Sequence, residues 1–539
     1  MEIIFGTQAT DALKLLHHRT LRLGIQHRHA LAPADPRPSE PVTVTAWVGT
    51  DTDVTALSCY FTTGDFDPAG AYGESSTSHV VRFRQVGTEW DSVSWGFLTR
   101  WEATLPGQAS GTIVRYRIGG WNEGSARSHE IFADSPNVTE ISESASHSWS
   151  HHRDWSMPQA YETQTGNVFA YRVDDGAAPA WARDAVIYQV LVDRFYPGDG
   201  RDWLQTHDVG QLMGGTLWGV RDRLGYLTDL GITTLWLSPT WVSASPHGYD
   251  GIDFLNTADH LGGDAALHAL VDSAHRVGVR ILLDLPCNHV SNHHPIFLDA
   301  LSSPSSPYRD WFVWDDPVNG YKAFFGVASM PKVNLQNPAA RDWMVSIGAY
   351  WLREFDVDGY RLDYAVGPGP DFWAYFGGAC KAARPDCVLL GEIVDTPGAQ
   401  HAYIGKLDGC LDFYISEALR STYGWKTKSV AEFERQAARR QAFFPSDLIL
   451  PTFIDNHDMD RFLYIARGDK DALRAALAAQ MRLPSPPILY YGTEVGLSHS
   501  VSSREVGLEI GRVPMVWDER QDRVLLADVA DLIHGRTRG

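Results

Sequence analysis

The stretch GYRLDY at 359–364 closes an apolar run with an arginine and an aspartate two residues apart. Positions two apart on a β-strand face the same side, so Arg361 and Asp363 point together if this run is a strand. Three other stretches share the pattern. DLPCNH at 284–289, LLGEI at 389–393 and FIDNHD at 453–458 each end an apolar run in carboxylates, imidazoles or an amide. A parallel barrel puts the C-terminal ends of all its strands on one face, so residues distant in sequence converge on one pocket. Asp363, Glu392 and Asp458 are therefore expected to meet.

Working outward from these stretches, the texture from residue 184 onward fits such a barrel. The runs AVIYQVLV, TTLWLSP, RILLDLP, VLLGEI, PTFID and PPILYYG alternate with amphipathic stretches such as VRDRLGYLTDLG, DAALHALVDSAHRVG and DWMVSIGAYWLREFD. Strands without polar alternation, separated by helices, signal a parallel sheet covered on both faces. The predicted fold is α/β: a (β/α)8 TIM barrel over 184–539, ending in the helix VLLADVADLIHGRTRG. The gap before GYRLDY is long, aromatic and turn-rich, which predicts a small inserted domain after strand 3, at about 290–338. Residues 20–150 alternate apolar and polar in short runs such as VTVTAWV, VVRFRQV and IVRYRIGGW, the pattern of an N-terminal immunoglobulin-like β-sandwich. Residues 1–19 read as an N-terminal extension and 151–183 as a linker. Trp95 and Trp101 are candidates for a glycan-binding surface on the sandwich, although aromatics there more often build its core.

Composition narrows the function. The 539 residues are 44% hydrophobic, with no run near the ~18 apolar residues of a membrane helix. A formal charge of −20 repels nucleic acid and anionic lipid but is indifferent to a neutral, polyhydroxylated substrate. The five cysteines show no CxxC spacing and read as reduced packing residues. The start, MEIIFGTQATDALKLLHHRT, lacks the basic, apolar and small-residue regions of a signal peptide, so a cytoplasmic location is expected.

Cleaving a glycosidic bond needs one carboxyl that keeps its proton and another that is ionised. Arg361 would hold Asp363 ionised, while desolvation behind VLLG would raise the pKa of Glu392. Asp458 and His457, with His289, are placed to bond sugar hydroxyls. Tyr249 offers a face for a sugar ring, with Asp250 beside it. Asp284 reads as a structural anchor. Taken singly, each has an ordinary reading as a salt bridge, helix cap or packing residue; their joint placement at successive strand ends favours a site. No HxH or HExxH spacing supports a catalytic metal. Asn288 is a candidate calcium ligand, and Asp193 and Asp199 in DRFYPGDGRD form a second candidate loop, with solvated loops as the plainer reading of both.

These residues resemble the α-amylase family, glycoside hydrolase family 13. Between about 184 and 535, GGTLWGVRDRLGYLTDLGITTLWLSP, HGYDGIDF, DLPCNH, MPKVNLQNP, GYRLDY, GEI, FIDNHD, LYYGTEVGL and PMVWDE follow the family's order. The resemblance implies a retaining mechanism on α-glucosidic bonds. By position it makes Asp363 the nucleophile, Glu392 the acid/base and Asp458 the transition-state stabiliser. Arg361, His289 and His457 match the family's substrate-site residues, and Tyr249 its stacking platform. No cofactor is implied for the chemistry; a structural calcium stays open. The β-rich N-terminal region and MPKVN look like neopullulanases and cyclomaltodextrinases, whose members cleave α-1,4 and sometimes α-1,6 bonds of maltooligosaccharides or cyclodextrins. A homodimer is an expectation by the same analogy. Val366 and Gly367 stand where many α-amylases carry Lys and His, and Val394 and Asp395 follow GEI where an aromatic is common, so the resemblance does not extend to polymer cleavage. The family's usual C-terminal β-sandwich is expected to be absent. A transglycosylase or glucosyl isomerase would use the same scaffold. A non-catalytic carbohydrate-binding barrel is disfavoured by the presence of all three carboxylates.

Overall fold

Seven strands form one parallel sheet: β11 (Ile187–Val190), β12 (Thr234–Leu237), β15 (Arg280–Pro286), β16 (Gly359–Asp363), β17 (Val388–Gly391), β18 (Gly409–Cys410) and β19 (Ile488–Tyr490). Their spatial order is β18-β17-β16-β15-β12-β11-β19. The computed structural model describes residues 24–92, 95–125, 129–134, 167–176, 178–206, 208–314 and 319–537. The expected extension at 1–19 and the 151–166 part of the expected linker lie outside the described residues. Every residue of β11, β12, β16, β17 and β19 is buried, which is why these strands read as unbroken apolar runs.

Both edges of the sheet reach a common segment. Parallel bridges join Gly409 to Ile449 and Thr452 to Pro487, so 449–452 spans the gap between β18 and β19. The arrangement fits a closed eight-membered β/α barrel. Prolines explain why this seam is a set of bridges rather than a ladder: Pro451, Pro486 and Pro487 have no N–H to donate. The remaining bonds carry it, with Thr452 N donating to Pro486 O at 2.9 Å and Ile488 N to Thr452 O at 2.7 Å. Helices cover the outside. The helix Pro338–Glu354 starts where Asn337 accepts from the amides of Ala339 and Ala340, with proline at its first position.

The N-terminal part contains two antiparallel sheets. In one, β1 (Ile25–Gln26), β3 (Val42–Val48), β7 (Gly96–Leu105) and β6 (Arg84–Asp91) lie side by side, with β2 (Leu31–Ala32) on β3. In the other the order is β10 (Phe169–Arg172), β8 (Ile113–Trp121), β4 (Ala56–Thr62) and β5 (His79–Arg82), with β9 (Ile131–Phe132) on β8. Val42, Val44, Ala46 and Val48 share one buried cluster with Leu57, Cys59, Val114, Tyr116 and Ile118. Strand β10 lies inside the stretch read from sequence as linker and is fully buried. FAYR is too short for a visible period, so only its pairing with β8 reveals it. The two tryptophans divide. Trp101 is core, whereas Trp95 is 78% exposed beside Trp90 and Phe97.

Between β15 and the helix Pro338–Glu354 the described chain forms the helix Pro295–Ser302, short turns and isolated bridges. Phe297, Phe312, Trp314 and Tyr321 pack edge to face or stacked and hold it together. Residues 315–318, within the expected insertion, are outside the described set.

Candidate active site

Arg361 organises the pocket. Its side chain is 1% exposed, and one guanidinium nitrogen donates to Asp284 Oδ1 at 2.8 Å and to Asp363 Oδ1 at 2.9 Å. The other lies 2.8 Å from Glu392 Oε1. The alternation of β16 produces this arrangement: Arg361 and Asp363 share the barrel-facing side, and the parallel register sets Arg361 opposite Asp284 of β15 and Leu390 of β17.

Immediately after Asp363 the backbone turns sharply. Tyr364 has φ 40°, a left-handed conformation, and its amide donates to Glu392 Oε2 at 2.9 Å. Phe324 and Phe325, from the segment between β15 and β16, pack against the Tyr364 ring at 4.9 and 5.2 Å. Burial raises the pKa of Glu392 to about 7; Arg361 pulls it down, while the charge of Asp458 adds to the rise. Burial likewise pushes Asp363 up, with Arg361 opposing and the neighbouring carboxylates adding to the rise. Asp458 goes the other way. Burial works against its charge, but His457, Arg512 and Arg361 outweigh that, so its pKa lies below the ordinary carboxylate value.

A chain of hydrogen bonds fixes the rest. His457 Nδ1 lies 2.6 Å from Gln189 Nε2, and its Nε2 lies 2.6 Å from Tyr249 OH. Tyr249 OH donates in turn to Asp284 Oδ2 at 2.8 Å, which also accepts from Trp236 Nε1 at 2.9 Å. Gln189 has its amide N–H to give, so His457 Nδ1 accepts and Nε2 carries the proton. Burial lowers the His457 pKa to about 3, which keeps the ring neutral. The Tyr249 and His457 rings stack at 5.4 Å with an 8° interplanar angle. Asp284, entirely buried, is saturated by these donors and anchors the site, as its sequence setting suggested.

Not every expected residue turns toward the carboxylates. His289 Nε2 lies 3.1 Å from the Tyr249 carbonyl, a bond that commits this nitrogen to backbone and supports the Tyr249 loop. Asp250 accepts from the amide and hydroxyl of Ser245 at 3.2 and 2.5 Å and so braces the same loop. Asp193 accepts from the amides of Met213 and Gly214 and pairs with Arg194. These bonds use both its oxygens. Asp199 is exposed and lies 3.7 Å from Arg201. Among the described residues no three His, Cys, Asp or Glu side chains group as metal ligands. Asn288 Oδ1 is buried without a hydrogen-bond partner. The Asp193 carboxylate is thus spent on backbone amides and Arg194 rather than left open for a calcium ion.

Three contributors escaped the sequence reading. Gln189 was legible as the single polar residue within AVIYQVLV, because a buried amide requires a partner. Trp236 and Arg512 had no local signal. Arg512 donates to Asp458 Oδ1 at 3.0 Å and to the His457 carbonyl at 2.8 Å, with Glu509 holding its other side at 2.7 Å. It comes from a loop far along the chain.

The family profile described as "Alpha amylase, catalytic domain" matches residues 189–524. The chain belongs to the α-amylase family. That glycosidase family includes curated relatives such as "Alpha-amylase 2" of Dictyoglomus thermophilum, 37% identical over 358 residues, covering 66% of this chain and 63% of the relative. "Cyclomaltodextrinase" of Geobacillus thermopakistaniensis is 32% identical over 384 residues, covering 68% and 64%. The chain thus spans a little under two thirds of the length of these relatives. Among solved structures, the cyclic alpha-maltosyl-(1→6)-maltose hydrolase of Arthrobacter globiformis superposes with a TM-score of 0.63 at 26% identity, covering 67% of this chain and 84% of that one. In the α-amylase family member described here, no described helix is long and apolar enough to cross a membrane.

Proposed function

We propose that this α-amylase family member is a retaining glycosidase that cleaves α-1,4 glucosidic bonds in short maltooligosaccharides or cyclodextrins. The observation that carries the reading is the pairing of carboxylates with guanidinium groups: Arg361 bonds Asp363 and flanks Glu392, while Arg512 bonds Asp458. In this reading Asp363 attacks the anomeric carbon in its ionised form, and the direct bond from Arg361 opposes the burial that pushes its pKa up. Glu392 carries the proton, gives it to the leaving oxygen, then takes one from water as the glycosyl-enzyme ester is hydrolysed. Asp458, kept charged by Arg512, faces the positive charge that develops on the sugar. Tyr249 supplies the platform beneath the ring, braced by His457, and Asp250 and His289 hold its loop.

Support for small substrates comes from the name of the cyclomaltodextrinase relative and from the turn that follows Asp363. Val366 and Val394 are buried, and a side chain at Gly367 would place its Cβ 2.2 Å from Asn288 Oδ1, so no long acceptor-side group extends from that turn. The test is product analysis with maltotriose, γ-cyclodextrin, pullulan and soluble starch. Products of α configuration from the cyclic and short substrates, and none from Asp363→Asn protein, are expected. Products of β configuration would overturn the retaining assignment, and products longer than the substrate would move it to transglycosylation.

A further inference from the structure

The loop that carries His457 and Asp458 runs from Phe453 to Arg461, between the bridge at Thr452 and the helix Phe462–Ile465, and forms neither helix nor strand. Its backbone has no ladder to satisfy it, so its buried carbonyls need donors from elsewhere. Arginines supply them. Arg512 donates to the carbonyl of His457. Arg420 donates through one guanidinium nitrogen to the Ile454 carbonyl at 2.5 Å and through the other to the Asp460 carbonyl at 3.0 Å. These carbonyls stand at opposite ends of the loop. One planar group thus closes its neck, with Asp455, Asn456, His457, Asp458 and Met459 between.

Arg420 opens a π-helical turn, Arg420–Gly424, that continues the helix Phe413–Leu419. Single turns of this kind recur at functional sites. The residue is 1% exposed, and its guanidinium carbon lies 5.2 Å from the centre of the Trp425 ring. Its charge has a counterpart inside the loop: Asp455 is buried as well, and Arg461 and Arg420 both oppose the upward push of burial on its pKa. Asp455 accepts from the Phe462 amide at 2.9 Å and the Thr493 hydroxyl at 3.1 Å, which pins the loop from within. The Asp458 amide donates to Asn456 Oδ1 at 2.9 Å, so Asp458 takes its direction from this frame. Both Arg420 bonds go to backbone. Its influence on the carboxylates therefore passes through the shape of the loop.

We propose that Arg420 is a positioning residue for the reaction: its guanidinium fixes the neck of the 453–461 loop and with it the place of Asp458. The effect on catalysis rests on the reading of Asp458 under the proposed function; the clamp on the loop does not. A lysine keeps the charge but offers one nitrogen in place of a planar fork, so it cannot hold both carbonyls in this way.

The test compares wild type, Arg420→Lys, Arg420→Gln and a control, Arg280→Lys, each well below its own melting midpoint. Arg280 begins β15 at the end away from the carboxylates and pairs with Asp358, so its replacement loosens the barrel elsewhere. Hydrogen–deuterium exchange of the peptide 453–461 and steady-state cleavage of an aryl α-maltoside are measured. Both Arg420 variants are expected to exchange about tenfold faster or more in this peptide and to lose about 10–100-fold in kcat, with KM held within about twofold. Arg280→Lys should change neither. In an Asp458→Asn background, Arg420→Lys should cost less than about threefold, because the group it places is already gone. Arg420→Lys retains the charge and one bond, which guards against outright unfolding. If wild type cleaves neither this substrate nor γ-cyclodextrin, the glycosidase reading falls, and faster exchange in both Arg420 variants still upholds the clamp. Unchanged exchange overturns the proposal. So does faster exchange at wild-type kcat, or a loss of the same size with and without Asp458.

Discussion

At the residue scale, Glu392 sets the pH dependence. A carboxyl that must be protonated to act and has a pKa near 7 gives activity that falls as pH rises through 7, about tenfold per unit beyond it. A rate profile against pH, with kcat/KM fitted for its alkaline limb, checks this. The same group shapes stability. The folded protein holds this proton more tightly than the unfolded chain, so the contribution is fully present below the ordinary carboxylate range and is lost as pH climbs to about 7. Glu392→Gln is therefore expected to lose activity by ~10³-fold or more yet to gain roughly 1–3 kcal/mol of stability at pH 8, with the gain vanishing near pH 4. Thermal melts at both pH values decide it. Arg512 acts through Asp458 as a positioning residue. Arg512→Ala should cost ~10–100-fold in kcat/KM. Because both changes remove one pairing, its effect should be far from additive with Asp458→Asn in a double-mutant cycle.

At the element scale, the seam between β18 and the 449–452 segment is closely packed. Gly409 faces Ile449 so closely that a Cβ would sit 1.9 Å from its carbonyl oxygen. Backbone, unlike a flexible side-chain end, gives little. Gly409→Ala is expected to destabilise by about 1–3 kcal/mol, measurable as a lower midpoint in urea, and to reduce activity, because the displaced segment carries His457 and Asp458. Wild-type stability in this variant would show that the seam is looser than its geometry.

At the scale of the whole molecule, the two antiparallel sheets are fastened to the barrel through Asp371, in the first turn of the helix Pro370–Ala383. Its carboxylate accepts from the Ala170 amide of β10 at 2.6 Å and lies 2.9 Å from His29 Nε2. Burial opposes this charge, but His29, Lys406 and the Ala170 amide more than compensate, so its pKa is depressed. The sign follows: the stabilisation is present above the ordinary carboxylate range and disappears as pH falls through the lowered value. Asp371→Asn should lower the melting temperature at pH 7 and lower it by less at pH 3. Equal effects at both values would mean that shape, not charge, joins the two parts.

In the sequence by itself the α/β barrel class was legible and three carboxylates stood out as candidates, because strand ends in a parallel barrel announce themselves as apolar runs closed by polar residues, and Arg361 to Asp363 is a spacing of two. It also placed Asp284 as an anchor. It could not show that His289 and Asp250 turn to the Tyr249 loop, since a side chain's partner depends on what the fold brings opposite it. Strand β10 was hidden in a stretch read as linker, for four residues carry no period and its partner lies about fifty residues upstream. Arg512 was invisible for the same reason on a larger scale: nothing in GRVPM marks a partner of Asp458 more than fifty residues earlier, and only closure of the barrel brings the two to 3.0 Å.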